Sequence, residues 1–138
     1  MWIAAVDKFQ HWVYENPNHS VEQRMSQWKI VIDQFTSKEI DYTGLDDVRA
    51  RGWQSQLHIY EVPFYYIEYG IAQLGAIGMW KQYRENPEQA LKNYMYGLSL
   101  GGTQTLPDLY KSAGIDFDFS PEKISELMLF VKQELDSL

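Results

Sequence analysis

The centre of the chain reads His58-Ile-Tyr-Glu-Val-Pro-Phe-Tyr-Tyr-Ile-Glu-Tyr-Gly70 and continues as Ile71-Ala-Gln-Leu-Gly-Ala-Ile-Gly-Met-Trp80. Proline suits the start of a helix, so we expect a long helix from Pro63 to Arg84 or Glu85. Glycine inside a helix costs up to about 1 kcal/mol relative to alanine. Gly75 and Gly78 share a face of this helix, and they indicate that another backbone packs closely against it.

Helix signals continue on both sides of the central helix. Ser20 with Gln23 forms a capping box, and Gly101-Gly102 is typical of a helix end. Besides the central helix, we expect helices from Trp2 to about Val13, from Ser20 to about Phe35, from Leu45 to about Leu57, from Pro87 to Gly101, from Pro107 to Ala113, and from Pro121 to Leu135. Alternating strand patterns and hairpin dipeptides are absent. We predict one all-α lobe of six or seven helices over residues 1–138.

The composition excludes several classes of function. Nineteen acidic residues against twelve basic ones give a net charge of −7, which repels nucleic acid and anionic lipid. The longest uncharged run, Asn93 to Pro107, has fifteen residues, and the apolar run from Tyr69 to Trp80 has twelve, so both are too short to span a bilayer. Cysteine is absent, which excludes thiolate metal sites, and the N-terminus lacks signal-peptide features. We expect a cytoplasmic protein that binds neither nucleic acid nor membranes.

The central segment also concentrates side chains that can donate hydrogen bonds. One histidine and four tyrosines lie within twelve residues, namely His58, Tyr60, Tyr65, Tyr66 and Tyr69. Tyrosine is a protonated donor at neutral pH, and neutral imidazole can donate or accept. Such donors at the start of a helix can stabilise an oxygen that becomes negative during a reaction. Aromatic residues are also ordinary core material, so composition alone leaves a purely packing role open.

Two familiar catalytic motifs do not hold. Gly97-Leu-Ser-Leu-Gly101 fits the G-x-S-x-G pattern of serine hydrolases, but helical sequence precedes it and every histidine lies upstream. A catalytic zinc site commonly uses two histidines spaced i, i+4 on one helix. No histidine pair here has that spacing. The chain therefore carries no self-contained zinc site.

The central segment through Leu74, followed by Leu100-Gly-Gly-Thr103 and Leu109-Tyr-Lys-Ser-Ala-Gly-Ile-Asp116, resembles the C-terminal part of oligoendopeptidase F. This family is a branch of the thimet-oligopeptidase-like zinc metallopeptidases. The resemblance covers nearly the whole chain and implies a mostly helical, two-lobed enzyme that encloses a channel for short peptides. It also implies that an H-E-x-x-H segment and a later glutamate hold zinc in the intact enzyme, upstream of these residues, and that this chain holds no cofactor.

The same resemblance implies roles for the aromatic segment. In this family a histidine and tyrosines of the C-terminal part face the metal and contact the scissile carbonyl. These roles fall on His58 and on some of Tyr65, Tyr66 and Tyr69, as groups for substrate binding and transition-state stabilisation. Tyr66 and Tyr69 are spaced i, i+3, and Tyr65 and Tyr69 i, i+4, so either pair can share a helical face. Which tyrosine contacts the carbonyl stays open.

We interpret the chain as the C-terminal fragment of a zinc metalloendopeptidase that is inactive in isolation. Its partners would be the missing N-terminal catalytic portion, short peptide substrates in the intact enzyme, and further copies of itself. The alternative is a non-catalytic all-α module that binds a peptide or partner helix through the same aromatic groove. The first helix starts at Trp2 without a capping residue, which fits either an entry from within a larger fold or a docked terminal helix.

Overall fold

A computed structural model describes residues 1–138 as eight α-helices and one 3₁₀ turn, without β-strands. The helices are α1 (Trp2–Glu15), α2 (Val21–Asp33), α3 (Asp46–Ala50), α4 (His58–Glu61), α5 (Ile67–Glu85), α6 (Pro87–Ser99), α7 (Leu106–Ser112) and α8 (Pro121–Asp136), and the 3₁₀ turn covers Gly52–Ser55. The all-α prediction is confirmed, although the chain forms eight α-helices instead of the expected six or seven. None of the helices has the length and hydropathy needed to cross a membrane.

The chain forms two compact units, residues 1–70 and 71–138. In the first unit, the predicted capping box begins α2. The Ser20 hydroxyl accepts from the Gln23 backbone N–H at 3.2 Å, and the Gln23 side chain accepts from the Ser20 N–H at 2.8 Å. The two bonds satisfy amide groups that have no partner inside the helix. Helix α2 ends at Asp33, two residues before the expected Phe35.

Aromatic packing forms the core of the first unit. The ring of Phe9 from α1 lies 5.2 Å from Trp28 of α2 and 5.6 Å from Trp53 of the 3₁₀ turn. The residues buried in this core are Ala5, Val6, Phe9, Trp28, Val31 and Trp53. Edge-to-face and tilted contacts of this kind add to the free energy gained from burying the rings. Because Trp53 belongs to this core, the core holds in place the segment that leads from Trp53 to His58.

The predicted helix from Leu45 to Leu57 is wrong, because the chain there forms α3, the 3₁₀ turn and α4 instead. The break lies at Gly52, where a Cβ atom would come within 3.3 Å of Trp28 Nε1. This close approach lets the next residue, Trp53, reach the core with only 7% of its surface exposed. Burial of a large indole therefore outweighs the local preference for a continuous helix.

The central helix also starts later than expected, at Ile67 rather than Pro63. The reason is Phe64, whose φ of 62° places it in the left-handed region that helices do not use. Phe64 lies 4.9 Å from the His11 ring and 5.0 Å from the Tyr14 ring of α1. These contacts hold a backbone conformation that is unfavourable for a bulky residue.

In the second unit, side-chain caps and glycines set the helix boundaries. Asn86, Thr105 and Ser120 cap α6, α7 and α8, each through a side-chain oxygen that accepts from a backbone N–H three residues later. The chain leaves α6 at Gly101 and α7 at Gly114, with φ of 55° and 79°. Glycine adopts this region without strain, and both helix ends agree with the sequence prediction.

Candidate functional site

The turn between α4 and α5 returns the chain towards His58. The Tyr65 N–H donates to the Val62 carbonyl at 3.1 Å across this turn, which contains the left-handed Phe64. Tyr65 and Tyr66 follow immediately, and Tyr69 lies in the first turn of α5. The turn therefore places three tyrosines opposite the histidine that begins α4.

The four rings form one aromatic cluster, consisting of His58, Tyr65, Tyr66 and Tyr69. The imidazole centre lies 4.7 Å from Tyr66, 5.8 Å from Tyr69 and 6.2 Å from Tyr65. The Tyr69 ring is perpendicular to the imidazole, at 89°, and Tyr65 is parallel to it, at 3°. Tyr69 also contacts Tyr65 at 5.7 Å and Tyr66 at 5.4 Å. All four residues predicted from the sequence are therefore brought together.

The tyrosines differ in exposure. Tyr65 is 44% exposed and Tyr69 is 47% exposed, so solvent reaches both. Tyr66 is half-buried and packs against the core of the first unit. Tyr60 lies outside the cluster, because its ring stacks on Trp53 at 5.9 Å. Tyr65 and Tyr69 are thus the tyrosines of the cluster best placed to meet a ligand, while Tyr66 supports the cluster from the core side.

The proximity of Tyr69 affects the acidity of Tyr65. Hydrogen bonding with Tyr69 raises the pKa of Tyr65 above its ordinary value, with smaller contributions from the charges of Tyr69 and Glu68 and from burial. The raised pKa keeps the Tyr65 hydroxyl protonated at neutral pH, so it remains a hydrogen-bond donor.

On its other side, the imidazole contacts an amide that sequence reasoning missed. Gln56 Nε2 lies 2.6 Å from His58 Nδ1, and the Trp2 indole Nε1 donates to Gln56 Oε1 at 2.8 Å. Gln56 is only two residues from His58, but Trp2 is 54 residues from Gln56. Nothing in a single sequence indicates a contact over that separation.

Zinc, which the family resemblance implies, does not fit residues of this chain. No three His, Asp or Glu side chains converge closely enough to hold a metal ion. His11 has Asp7 as a neighbour at 3.5 Å, but this pair has no third ligand. We therefore assign no zinc ligand here and describe the site by its hydrogen-bond donors.

The second unit has a separate surface feature, an apolar groove between α5, α6 and α7 with a volume of about 570 Å³. Its exposed members include Leu98 at 62% and Leu106 at 53%. The groove is also lined by three small residues, namely Gly75, Ala76 and Gly97. The groove is a candidate for contact with another apolar surface.

Comparisons with known proteins identify the family of the chain. The family model for Peptidase family M3 matches residues 1–129. A crystal structure described as an oligoendopeptidase F matches 99% of this chain at 36% identity, with a TM-score of 0.88. The chain spans 24% of the length of that structure. A comparison with curated proteins gives no match. The resemblance seen in the sequence is confirmed, and the chain belongs to peptidase family M3.

Proposed function

We propose that this chain forms the substrate-facing wall of an M3 endopeptidase that cleaves short peptides. The observation that carries the proposal is the convergence of His58 with the exposed Tyr65 and Tyr69, whose rings lie 6.2 and 5.8 Å from the imidazole. Each of these three side chains carries a group that can donate a hydrogen bond. Such a set suits a peptide carbonyl better than a purely apolar ligand.

The chemistry follows from the charge that develops during peptide hydrolysis. When water attacks the scissile carbonyl, its oxygen becomes an oxyanion, and donors that are already in place stabilise it without reorganisation. His58 and Tyr69 would donate to this oxygen, and Tyr65 would hold the Tyr69 ring in place through their edge-to-face contact. Loss of one such donor typically lowers the rate by about 10²–10³.

The activity belongs to the assembled enzyme in this proposal. Because the chain spans 24% of the matched structure, we expect the remaining part of such an enzyme to be its partner and to hold the zinc. The isolated chain would not cleave peptides. We also expect the enzyme to act in the cytoplasm on short peptides, as the sequence features and the family resemblance suggest.

A chimera tests the proposal. The matching quarter of the oligoendopeptidase F relative is replaced by this chain, and hydrolysis of quenched fluorescent peptides is measured. We expect turnover by the chimera, none by the 138-residue chain alone, and a loss of about 100-fold in kcat on His58→Ala.

The matched control is His19→Ala, which removes a histidine that contacts Trp12 and Arg24 instead of the cluster. If the folded chimera bound peptides and His58→Ala kept kcat within about threefold, the cluster would be a binding surface without a catalytic role. That result would favour the non-catalytic alternative.

A further inference from the structure

We propose that Gln56 is a positioning residue that fixes the tautomer of His58, leaving Nε2–H as the donor that the ring offers to a ligand. The inference rests on the proposed function for its catalytic meaning, but the tautomer itself follows from contacts of this chain. Two hydrogen bonds join Trp2 to Gln56 and Gln56 to His58. This chain of three residues is called the relay below. The far end of the relay is a group that can only donate.

The indole of Trp2 fixes the orientation of the Gln56 amide. Indole Nε1–H is a donor and never an acceptor. Its partner 2.8 Å away must therefore be the carbonyl oxygen of Gln56 and not the amide nitrogen. The usual ambiguity between the oxygen and nitrogen of a glutamine side chain is removed by this chemistry.

With its oxygen turned to Trp2, Gln56 presents its NH₂ group to His58. Amide nitrogen donates and does not accept, and it lies 2.6 Å from His58 Nδ1. Nδ1 must therefore be the unprotonated, accepting nitrogen of the ring. In a neutral imidazole the single proton is then on Nε2.

The consequence for the site is a donor of defined identity and direction. An imidazole free to exchange tautomers would offer a lone pair at Nε2 part of the time, and a lone pair repels an oxyanion. The rings of Tyr66 and Tyr69 pack on the imidazole at 4.7 and 5.8 Å and restrict its rotation. Gln56 thus selects the proton position, and the tyrosines hold the ring that carries it.

Nitrogen-15 NMR of the 138-residue chain tests the inference directly. Two-bond correlations distinguish the protonated from the unprotonated ring nitrogen at about pH 8.5, above the usual imidazole range. His58→Gln identifies the signals of His58 among those of the three histidines. We expect the Nε2–H tautomer to predominate. An Nδ1–H ring in the unaltered chain would overturn the proposal.

Gln56→Glu provides the sharper measurement. A carboxylate accepts from Trp2 and from His58 alike, so the ring should transfer its proton to Nδ1 and expose a lone pair at Nε2. The matched control is Gln54→Glu, an exposed position two residues away that makes the same chemical change. We expect it to leave the tautomer unchanged. A His58 tautomer that did not respond to Gln56→Glu would overturn the positioning role.

Trp2→Phe tests the far end of the relay. Without the indole donor the amide can rotate, and we expect a mixture of His58 tautomers. Trp2 also packs against Trp28 at 5.3 Å, so this variant can unfold the first helix, but the two measurements above decide the proposal without it. Failure of the proposed function would give a different result. A His58→Ala chimera that kept its activity would contradict the proposed function, but it would not change the tautomer that NMR measures in the unaltered chain.

Discussion

The hydroxyl of Tyr110 occupies the space that a side chain at Gly75 would need. A Cβ atom on Gly75 would lie 2.6 Å from Tyr110 Oη, and the hydroxyl donates to the Ile71 carbonyl of α5 at 3.2 Å. Burial raises the pKa of Tyr110, so its hydroxyl stays protonated. The glycine-rich face thus admits a neighbouring element, as the sequence predicts, but the approaching group at Gly75 is a side chain rather than a backbone.

Gly75→Ala should therefore lower the free energy of unfolding by about 1–3 kcal/mol, because the Tyr110 ring must move. Gly78→Ala is the matched control on the same face. Its Cβ would lie 3.5 Å from Ile115 Cγ2, an ordinary contact, and alanine favours a helix by up to about 1 kcal/mol. Urea unfolding measures both variants. Equal stabilities would show that Tyr110 gives way without cost.

A second stability prediction concerns Gln10 of α1, which is 1% exposed. Neither its amide nitrogen nor its carbonyl oxygen has a hydrogen-bond partner. A buried polar group without a partner costs about 1–3 kcal/mol, so Gln10→Met should raise the melting temperature. Gln73→Met, at an exposed position of α5, should change little. A lower melting temperature for Gln10→Met would mean that the amide is hydrogen-bonded in solution.

A third prediction concerns pH. Hydrogen bonds from Lys123 and Lys81, at 3.1 and 3.3 Å, lower the pKa of Glu126 below its ordinary value. A carboxylate with a lowered pKa stabilises the fold at neutral pH, and this contribution is lost as the pH falls below about 4.3. Because the Glu126 side chain is 45% exposed, we expect Glu126→Gln to cost less than about 1 kcal/mol at pH 7.

Thermal unfolding between about pH 3 and about pH 7, a range that brackets the titration of carboxylates, measures this effect. The difference between Glu126→Gln and the unaltered chain should vanish in acid and shrink in high salt. Glu39→Gln, in the loop before α3, is the control. A difference that persisted unchanged at the acid end would rule out the ion pairs as its cause.

A fourth prediction is that the separated chain self-associates through the apolar groove of residues 71–138. Leu98 in the groove is 62% exposed, and the net charge of −7 opposes association at low salt. Sedimentation should therefore show association that grows with concentration and with salt, and Leu98→Lys should reduce it. Leu135→Lys, an equally exposed position outside the groove, should not. A monomer under all conditions would contradict the prediction.

The sequence predicts well what depends on neighbouring residues. The cap at Ser20 and the helix end at Gly101 need only a few residues of context. The break at Gly52 does not, because it arises from packing on Trp28, in a different helix. Distant contacts of this kind leave no periodic signal.

The same distinction applies to the candidate site. His58 and its tyrosines could be found because they lie within twelve residues. The relay from Trp2 could not, because it joins residues 54 apart. The left-handed Phe64 was missed for a related reason, since contacts with His11 and Tyr14 of α1 hold it in place. The position of Pro63, a residue that suits the start of a helix, therefore predicted an earlier start for α5.

The last prediction separates the tyrosines by role. Tyr69 contacts all three other rings of the cluster and is 47% exposed, so we expect its hydroxyl to donate to a substrate oxygen. In the chimera, Tyr69→Phe should lower kcat by about 10²–10³ with KM nearly unchanged. Tyr65→Phe removes one neighbouring hydroxyl and keeps the ring that packs on Tyr69 at 5.7 Å, so a smaller loss of about tenfold is expected.

Tyr66→Phe and Tyr60→Phe are the matched controls, because Tyr66 packs on the core and Tyr60 stacks on Trp53. Phenylalanine keeps the ring and removes only the hydroxyl, so a packing tyrosine should retain kcat within about threefold. Steady-state kinetics on folded, zinc-loaded chimeras give the comparison. If Tyr69→Phe behaved like these controls, the cluster would serve packing alone, and the tyrosines would have no part in stabilising the oxyanion.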